Sequence, residues 1–379
     1  MKILHTADWH LGRIFHGLHL TNEQRNILQQ LTALIKHENI QVVLIAGDIY
    51  DRAVPPTEAV NLLDATLSTW INQLHVSVIM IAGNHDNPRR LGFGTDLFAA
   101  SNLYIYGPVD PAAHPIVLTD DYGPVYFAPL TYCDPLEARE LASAKISTHE
   151  EALTWQIQNM LAQIPSNARK VALAHVFLTG ATTTPDSERP LAIGGTTTVS
   201  IDNFQDFNYT ALGHLHACQK CSDSVRYSGS LMKYSFNEVH QTKAVQIVDL
   251  SGDGSITVTT YPLQAERELA CLEGEFADLV AHPRTELQED YLQVTLTDKA
   301  PVLDAKNRLE KIYPHILQLG YARLELDPDA ATAAPTDKLT PQALFAAFFR
   351  QTAQRDLTAA ETELVATALN AAEQAERRS

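Results

Sequence analysis

The segment VSVIMIAGNHD, residues 76–86, joins an almost uninterrupted apolar run to a glycine, an amide, an imidazole and a carboxylate. A short apolar run rich in β-branched residues is typical of a strand that is buried on both faces. Gly83-Asn84 is also ordinary turn chemistry, because Asn or Asp after a strand often caps the turn with its own side chain. Taken alone, the segment therefore allows two interpretations, a capped turn or a group of functional side chains.

The same order of residue types occurs five times in the first 262 residues. The five segments are ILHTADWH (3–10), VVLIAGDIYD (42–51), VSVIMIAGNHD (76–86), KVALAHVF (170–177) and YTALGHLH (209–216). Residues 23–37 and 58–74 have apolar residues at helical spacing, which predicts helices crossing between parallel strands. We therefore predict an α/β fold in which the polar clusters lie at the carboxyl ends of the strands, where such sheets bind ligands.

The composition limits the classes of protein to consider. A chain of 379 residues with 45% hydrophobic content can form two or three domains. No apolar run approaches the roughly 18 residues of a membrane span, and MKILHTADWH lacks the layout of a signal peptide. We therefore expect a cytoplasmic protein.

The charge balance argues against tight binding of DNA by this chain alone. It carries 45 acidic and 28 basic residues, a net charge of −17, whereas nonspecific DNA binding depends on neutralisation of phosphates by Lys and Arg. Divalent cations, local basic patches or a basic partner would have to offset the acidic surface. The four cysteines indicate no disulfide framework, and the single C-x-x-C, Cys218 to Cys221, is a weak zinc signal.

Seven side chains in the five segments are of metal-ligand type. They are Asp8, His10, Asp48, Asn84, His175, His214 and His216. Taken singly, Asp8-Trp9-His10 could be a capped turn and His175 a hydrogen-bonded core residue. The two imidazoles of GHLH are a stronger signal, because side chains two apart in an extended segment project to the same side.

Together these side chains predict a site for two metal ions. Two carboxylates, one amide and four imidazoles are too many for one tetrahedral ion, and mixed oxygen and nitrogen donors without thiolate favour manganese, iron or zinc. Asp48 would bridge, since the remaining ligands then divide evenly. Asp8, His10 and His216 would hold one ion, and the other ion would have the ligands Asn84, His175 and His214.

The ordered motifs D-x-H, G-D-x-x-D, G-N-H-D, H and G-H-x-H resemble those of the calcineurin-like metallophosphoesterases. In this chain they are Asp8–His10, Gly47–Asp51, Gly83–Asp86, His175 and Gly213–His216. The stretches LHTADWHLG, AGDIYDRAVPP, AGNHDNPRRLGFG, DSERPLAIGG, ALGHLH and RYSGSLMKYSF also resemble a DNA-cutting branch of this family, over almost the whole chain.

The resemblance implies a four-layer α/β/β/α sandwich and a manganese-dependent nuclease that cuts double-stranded DNA from its ends and opens hairpins. It implies an SMC-like ATPase as obligate partner, in a complex with two copies of each subunit. It also implies that His85 protonates the leaving oxygen while Asp86 orients the local network. Nuclease relatives carry a second active-site histidine where this chain has Asp51, so that position departs from their pattern.

The resemblance further implies a homodimer that pairs through helices of the phosphoesterase domain. The apolar candidates are Leu62, Leu63, Leu67 and Trp70, at helical spacing. Such a stripe is more often packed against its own sheet.

We predict a phosphoesterase domain over residues 1–262 and, by resemblance, a capping domain over 263–326 that helps to seat DNA. EDYLQVTLTD, then Asp304–Tyr313, then GYARLEL predict a strand, a helix and a strand. Residues 327–338, rich in Ala, Pro and Asp, are typical of a linker.

Residues 339–379 are predicted to form two helices that bind the partner. Thr340-Pro341 is a helix start, and Thr358 with Glu361 is a capping box. The apolar faces are Leu344, Phe345, Phe348 and Phe349 in the first helix, and Leu357, Leu364, Val365, Ala368 and Leu369 in the second. Packing of these helices onto their own chain is the alternative.

Two other functions are compatible with the motifs. One is a phosphatase or nucleotidase for small phosphoesters, which would need no second domain or terminal helices. The other is a non-catalytic DNA-end tether with a structural metal site, which would have no use for the additional imidazole of His85.

Overall fold

The computed structural model describes residues 1–185, 187, 197–322, 340–353 and 355–376. The chain divides into two compact units, residues 1–296 with 303–320, and residues 297–302 with 321–379. All five polar segments belong to the first unit. The predicted linker, 327–338, lies outside the described residues.

The regular elements are numbered in chain order. The strands are β1 (Lys2–Thr6), β2 (Ile14–Phe15), β3 (Leu18–His19), β4 (Val42–Ala46), β5 (Ser77–Ile81), β6 (Leu103–Tyr106), β7 (Ile116–Asp120), β8 (Gly123–Leu130), β9 (Arg169–His175), β10 (Phe177–Leu178), β11 (Thr198–Val199), β12 (Tyr209–Gly213), β13 (Gln219–Lys220), β14 (Val225–Tyr227), β15 (Ala244–Leu250), β16 (Ile256–Pro262), β17 (Leu269–Gly274), β18 (Tyr291–Leu296) and β19 (Ile316–Tyr321). The helices are α1 (Thr21–Glu38), α2 (Thr57–Asn72), α3 (Pro88–Leu91), α4 (Thr95–Ala99), α5 (Pro135–Ala142), α6 (His149–Leu161), α7 (Phe276–Ala281), α8 (Ala305–Leu309), α9 (Pro341–Ala353) and α10 (Ala359–Glu376).

Two six-stranded sheets form the centre of the first unit. The first has the order β16-β15-β1-β4-β5-β6 and the second β13-β14-β12-β9-β8-β7. Strands β1, β4, β5 and β6 are parallel, as are β8, β9, β12 and β14. Because both faces of these strands are covered, β4 and β9 are buried along their whole length, as the continuous apolar runs predicted.

The two sheets pack face to face, and helices cover their outer faces. Ile3, Leu44 and Ile79 of the first sheet meet Phe127, Leu173 and Tyr209 of the second in one core. Helices α1 and α2 pack on the outer face of the first sheet, and α6 packs on that of the second. This arrangement confirms the α/β fold and the four-layer α/β/β/α sandwich, including the predicted helices α1 and α2.

The predicted dimer stripe on α2 packs within the chain instead. Leu62, Leu63, Leu67 and Trp70 are all buried. The Trp70 ring meets Trp9 edge-on at 5.7 Å, and its indole N–H donates to Thr32 Oγ1 at 2.8 Å. These side chains therefore fill the core between α2, α1 and the sheet, which is the alternative stated above for this stripe.

A small three-stranded sheet, in the order β17-β18-β19, follows the sandwich. Strand β19, Ile316–Tyr321, begins before the predicted strand over 320–326, and residues 323–326 are outside the described part. The predicted helix over 304–313 is shorter, because α8 ends at Leu309, and Pro314 disfavours helical backbone at the residue before it. Strand β17 and helix α7 were not predicted. The domain boundaries themselves remain predictions.

The small sheet is joined to the sandwich near the polar clusters. Leu269 and Tyr291 share a hydrophobic cluster with Tyr234 and Phe236, and the Tyr291 hydroxyl donates to a Glu23 carboxylate oxygen at 2.6 Å.

Both predicted helix starts near the C-terminus are confirmed. Thr340 Oγ1 accepts from the Ala343 N–H at 3.3 Å. Thr358 and Glu361 form the reciprocal capping box, with distances of 3.3 and 2.8 Å. Among the described helices, none is both long and apolar enough to cross a bilayer.

Candidate metal and catalytic site

The five polar segments meet at one rim of the sandwich, at the carboxyl ends of strands from both sheets. In the first sheet, Asp8 and His10 follow β1, Asp48 follows β4, and Asn84 follows β5. In the second sheet, the site side chains are His175, the last residue of β9, and His214 and His216, which follow β12.

The backbone at this rim is held in an uncommon conformation. Asp8, His10, Asp48 and His214 have φ values of 52°, 45°, 49° and 103°, in the left-handed region that non-glycine residues seldom adopt. Hydrogen bonds between loops fix it, for example from the Asp8 N–H to Gly47 O at 3.1 Å and from the His10 N–H to Asp48 O at 3.0 Å. Such strain persists only where the surrounding structure imposes it, and it clusters at functional sites.

Asp48 lies at the centre of the assembled side chains. Its Oδ2 is 3.7 Å from His10 Nε2 and 3.5 Å from His175 Nε2. The Nε2 atoms of His10 and His216 are 3.1 Å apart. One carboxylate oxygen therefore stands beside imidazoles from both sheets.

Asn84 completes the second half of the cluster. Its Oδ1 is 2.9 Å from His175 Nε2 and 3.1 Å from His214 Nδ1. Asp8 accepts the His214 backbone N–H with both oxygens, at 3.0 and 3.1 Å, and also lies within one potential ligand group with His10 and Asp48. All seven sequence-predicted side chains are thus brought together.

The pKa values in the cluster depend on burial and on charge pairs. Burial lowers the pKa of His214 to about 3, and also lowers that of His10, so both are neutral near pH 7. Burial alone would raise the pKa of Asp48, but His175, and to a smaller extent His10, hold the pKa of this carboxyl well below the ordinary value. Burial alone would lower the pKa of His175, but Asp48 and Asp8 raise it to about 9. Burial raises the pKa of Asp8 to about 7.

These side chains fit divalent metal ions. The His175 Nδ1–H donates to Ala46 O at 2.9 Å, and His216 Nδ1 lies 2.9 Å from a Glu238 carboxylate oxygen, so that in both rings Nε2 is directed at the cluster. Buried carboxylates facing neutral imidazole nitrogens are the donor set that binds such ions.

Glu238 and Lys243 support the site but were missed in the sequence. Glu238 is 0% exposed, and its other carboxylate oxygen is 2.7 Å from Lys243 Nζ and accepts the Tyr234 N–H at 3.0 Å. Carboxylates that hold the distal nitrogen of a metal-ligating imidazole fix its tautomer and orientation. A single acid in the stretch SFNEVH has no spacing that would reveal this role.

Asp86 connects two of the loops that carry the cluster. Its carboxylate accepts backbone N–H groups of Ile49 at 3.1 Å, Tyr50 at 2.9 Å and Gly83 at 2.9 Å. Burial, with the nearby charge of Asp48, raises its pKa to about 7.

His85 stands beside the cluster rather than within it. Its Nδ1–H donates to the main-chain oxygen of Asp51 at 2.9 Å, and its Nε2 is 3.9 Å from Asp48 Oδ2. The Asp51 carboxylate is bound by Arg13 at 2.9 Å and lies 3.6 Å from His10 Nδ1. This buried nitrogen has no hydrogen-bond partner among the described residues.

Residues 1–218 match the family model of the calcineurin-like phosphoesterases. This match covers more than half of the chain, which therefore belongs to that family. Residues 265–353 match a second family, described as the type 5 capsule protein repressor C-terminal domain and abbreviated SbcD_C.

A curated protein from Staphylococcus epidermidis, the SbcD subunit of the nuclease SbcCD, is 35% identical to this chain over 322 residues, 84% of this chain and 85% of that protein. Within the phosphoesterases, the chain is thus an SbcD homologue. Among solved structures, a dimetal phosphatase from Danio rerio matches with a TM-score of 0.40 and 14% identity, over 69% of this chain and 99% of that one. Protein TT1561 of Thermus thermophilus matches with a TM-score of 0.39 and 13% identity, over 68% and 98%.

Proposed function

We propose that this chain is a manganese-dependent DNA phosphodiesterase, the nuclease subunit of an ATPase–nuclease complex in DNA repair and recombination. It would degrade double-stranded DNA from its ends and cut hairpins and single strands endonucleolytically. The observation that carries this proposal is the convergence of six other ligand-type side chains, five of them buried, around Asp48, with the imidazole of His85 beside them. The 35% identity to a nuclease subunit favours DNA over small phosphoesters as the substrate.

The geometry favours two ions bridged by Asp48. His10 and His216, with Asp8, would hold one ion, because their Nε2 atoms face each other at 3.1 Å. The second ion would be held by Asn84, His175 and His214. Such ions supply charge stabilisation for the phosphate oxygens and activation of water.

His85 is proposed as the general acid. Since its Nδ1–H is held by the Asp51 carbonyl, the proton it can give up is on Nε2. As the phosphorus–oxygen bond breaks, the leaving oxygen keeps the electron pair and takes that proton, and His85 becomes neutral. An imidazole suits this role because its reference pKa lies near neutrality. Asp86 would hold the loop of His85 against that of Asp48 through its three backbone contacts.

Helices α9 and α10 are proposed to dock on an SbcC-like SMC-family ATPase, in an assembly with two copies of each subunit. Among their apolar side chains, Leu344 and Phe345 are exposed, and Leu364 is 70% exposed. Burying four large side chains of α9 would contribute about 6–12 kcal/mol before ordering costs, at roughly 1.5–3 kcal/mol each. Such a partner would also supply basic surface that a chain of net charge −17 lacks. A nuclease acting on chromosomal DNA would work in the cytoplasm, at the nucleoid.

We also propose a homodimer, through the exposed apolar side chains that follow α3. Phe93 and Leu97 are 81% and 79% exposed. They are close in sequence to Leu91 and Phe98, which together with Leu63 and Leu67 of α2 line a cavity of about 360 Å³. Apolar side chains this exposed, around a concave surface, are typical of a protein interface.

The test is cleavage of a hairpin duplex with manganese, with and without the ATPase partner, alongside hydrolysis of a nitrophenyl phosphate monoester. Hairpin cleavage is expected, and activity on the monoester alone would instead favour a small-molecule phosphatase.

His85→Gln should retain metal and lose about 10²–10⁴-fold in cleavage rate, whereas Asp48→Asn should lose metal as well. Loss of both ions from His85→Gln, by mass spectrometry, would contradict the role given to His85.

A further inference from the structure

Five aromatic rings form a continuous row along the Asn84 side of the site. In order they are His149, Tyr132, His175, His214 and Phe177. Neighbouring ring centroids are 5.9, 6.4, 5.2 and 6.3 Å apart. The two central imidazoles are candidate ligands, whereas the outer three rings are partly exposed and have no part in the chemistry described above.

Tyr132 is held firmly in this row. It follows the carboxyl end of β8, and its backbone N–H donates to Ala82 O at 3.0 Å, two residues before Asn84. Its ring meets His175 edge-on at 88° and lies at 34° to His149. A side chain fixed from the backbone and from two neighbours is preorganised for binding.

Part of the Tyr132 side chain is available to a ligand. The residue is partly exposed, and no hydrogen bond of its hydroxyl is found among the described residues. At the other end of the row, Phe177 stands tilted at 44° beside His214 and is also partly exposed. An aromatic surface thus lies on each side of the pair of imidazoles.

We propose that the ring of Tyr132 is a stacking subsite for an unpaired nucleobase next to the phosphate being cut. His149 flanks this ring, and Phe177 lies at the other end of the row. The inference rests on the proposed DNA phosphodiesterase function and adds a structural basis for substrate choice. Every base has a π-face, so aromatic stacking tolerates any sequence. Bases inside a duplex are already stacked on their neighbours, so the subsite selects hairpin loops, single strands and frayed ends.

The charge of the chain gives this subsite its importance. With a net charge of −17, we expect phosphate contacts from Lys and Arg to contribute less to DNA affinity than they do in a basic DNA-binding protein, and such contacts weaken as salt rises. Stacking is not charge-dependent, so the preference for unpaired bases should persist as the salt concentration increases.

The test measures binding of hairpins that carry 2-aminopurine in the loop, because stacking quenches the fluorescence of this base. Calcium replaces manganese, so that binding is measured without cleavage. Tyr132→Phe keeps the ring, whereas Tyr132→Leu keeps apolar bulk without it. Wild type and Tyr132→Phe should quench the fluorescence, and Tyr132→Leu should bind the loop roughly 5- to 100-fold more weakly, the equivalent of one lost base stack. Binding of a fully paired duplex should change less than twofold, roughly the noise of such a comparison.

The matched control is Tyr122→Leu. Tyr122 is an exposed tyrosine in the turn before β8, at the end of that strand opposite to Tyr132. The control variant should bind both DNAs as wild type does. Metal content and melting temperature are measured for every variant, and Phe177→Leu provides a second test should Tyr132→Leu fold poorly. Unchanged loop binding in Tyr132→Leu and Phe177→Leu would overturn the inference. Equal loss for loop and duplex, or loss of metal, would also overturn it, because Tyr132 would then only support His175. Hairpin cleavage by the wild type tests the proposed function separately.

Discussion

Replacing Glu238 with glutamine tests how much the site depends on a residue that contacts no substrate. Glu238 and Lys243 are 0% and 5% exposed, and removing one partner of a buried ion pair typically costs 3–5 kcal/mol. Lys243 Nζ keeps the main-chain oxygen of His216 at 2.9 Å and Gln241 Oε1 at 2.7 Å. Because these acceptors remain, we expect the lower end, a loss of about 3 kcal/mol in the free energy of unfolding.

The same substitution should weaken metal binding. Glutamine cannot supply the negative charge that fixes the proton on His216 Nδ1, and loss of such a partner typically costs 10–100-fold in metal affinity. Urea denaturation of metal-free protein measures the first effect, and calorimetric titration with manganese the second. If two ions bind as proposed, the ion assigned to His10 and His216 should be affected more than the ion assigned to Asn84, His175 and His214.

Glu268→Gln is the matched control, because its ion pair with Lys233, at 2.6 Å, joins side chains that are 45% and 12% exposed. Such a pair contributes about 0–1 kcal/mol. In the double variant Glu238→Gln/Lys243→Met, the loss should be smaller than the sum of the two single losses, since no charge is left unpaired. If Glu238→Gln matched the control in both stability and manganese affinity, the supporting role of Glu238 would be refuted.

Three further predictions concern other parts of the chain. Asp120 forms a bidentate ion pair with Arg169, which holds the pKa of Asp120 well below the ordinary value. The stabilisation from this pair is present above about pH 4 and is lost as the pH falls through the depressed pKa. The urea denaturation curves of wild type and Asp120→Asn should therefore converge in strong acid. A chain ending at Lys338 should keep its melting temperature and basal manganese-dependent cleavage but no longer co-purify with an SbcC-like ATPase, and retained complex formation would contradict the docking role of α9 and α10. Leu97→Asp should convert a dimer to a monomer in light scattering with little change in melting temperature, whereas a wild type that is already monomeric at micromolar concentration would argue against the dimer.

The sequence predicted where the candidate ligands lie because each ends or follows a strand that is buried on both faces. A buried strand such as VVLIA fixes where its carboxyl end lies, and Asp48 follows it after one glycine. Parallel neighbours bring such ends to one edge of a sheet. The type and position of these side chains could therefore be predicted from the order of residues alone.

Other features depend on contacts distant in the sequence, which no local pattern records. Glu238 acts through His216, 22 residues away, and nothing in its own turn distinguishes it from a surface acid. The start of β19 at Ile316 has a similar cause, because pairing with β18 sets where the strand begins, whereas the alternation in GYARLEL begins only at Gly320. For the stripe of α2 the sequence left an interface and the chain's own sheet as alternatives, because periodicity identifies an apolar face but not the surface that covers it.

The division of the ligands between the two sheets has a consequence during synthesis of the protein. Asp8, His10, Asp48 and Asn84 leave the ribosome early, whereas His10 meets His216 across a separation of 206 residues. A nascent or truncated chain that lacks the second sheet has only four of the seven candidate ligands, so we expect it to bind manganese more weakly than the complete chain and not to cleave DNA. On the proposed function, nuclease activity would begin only once the sandwich has closed.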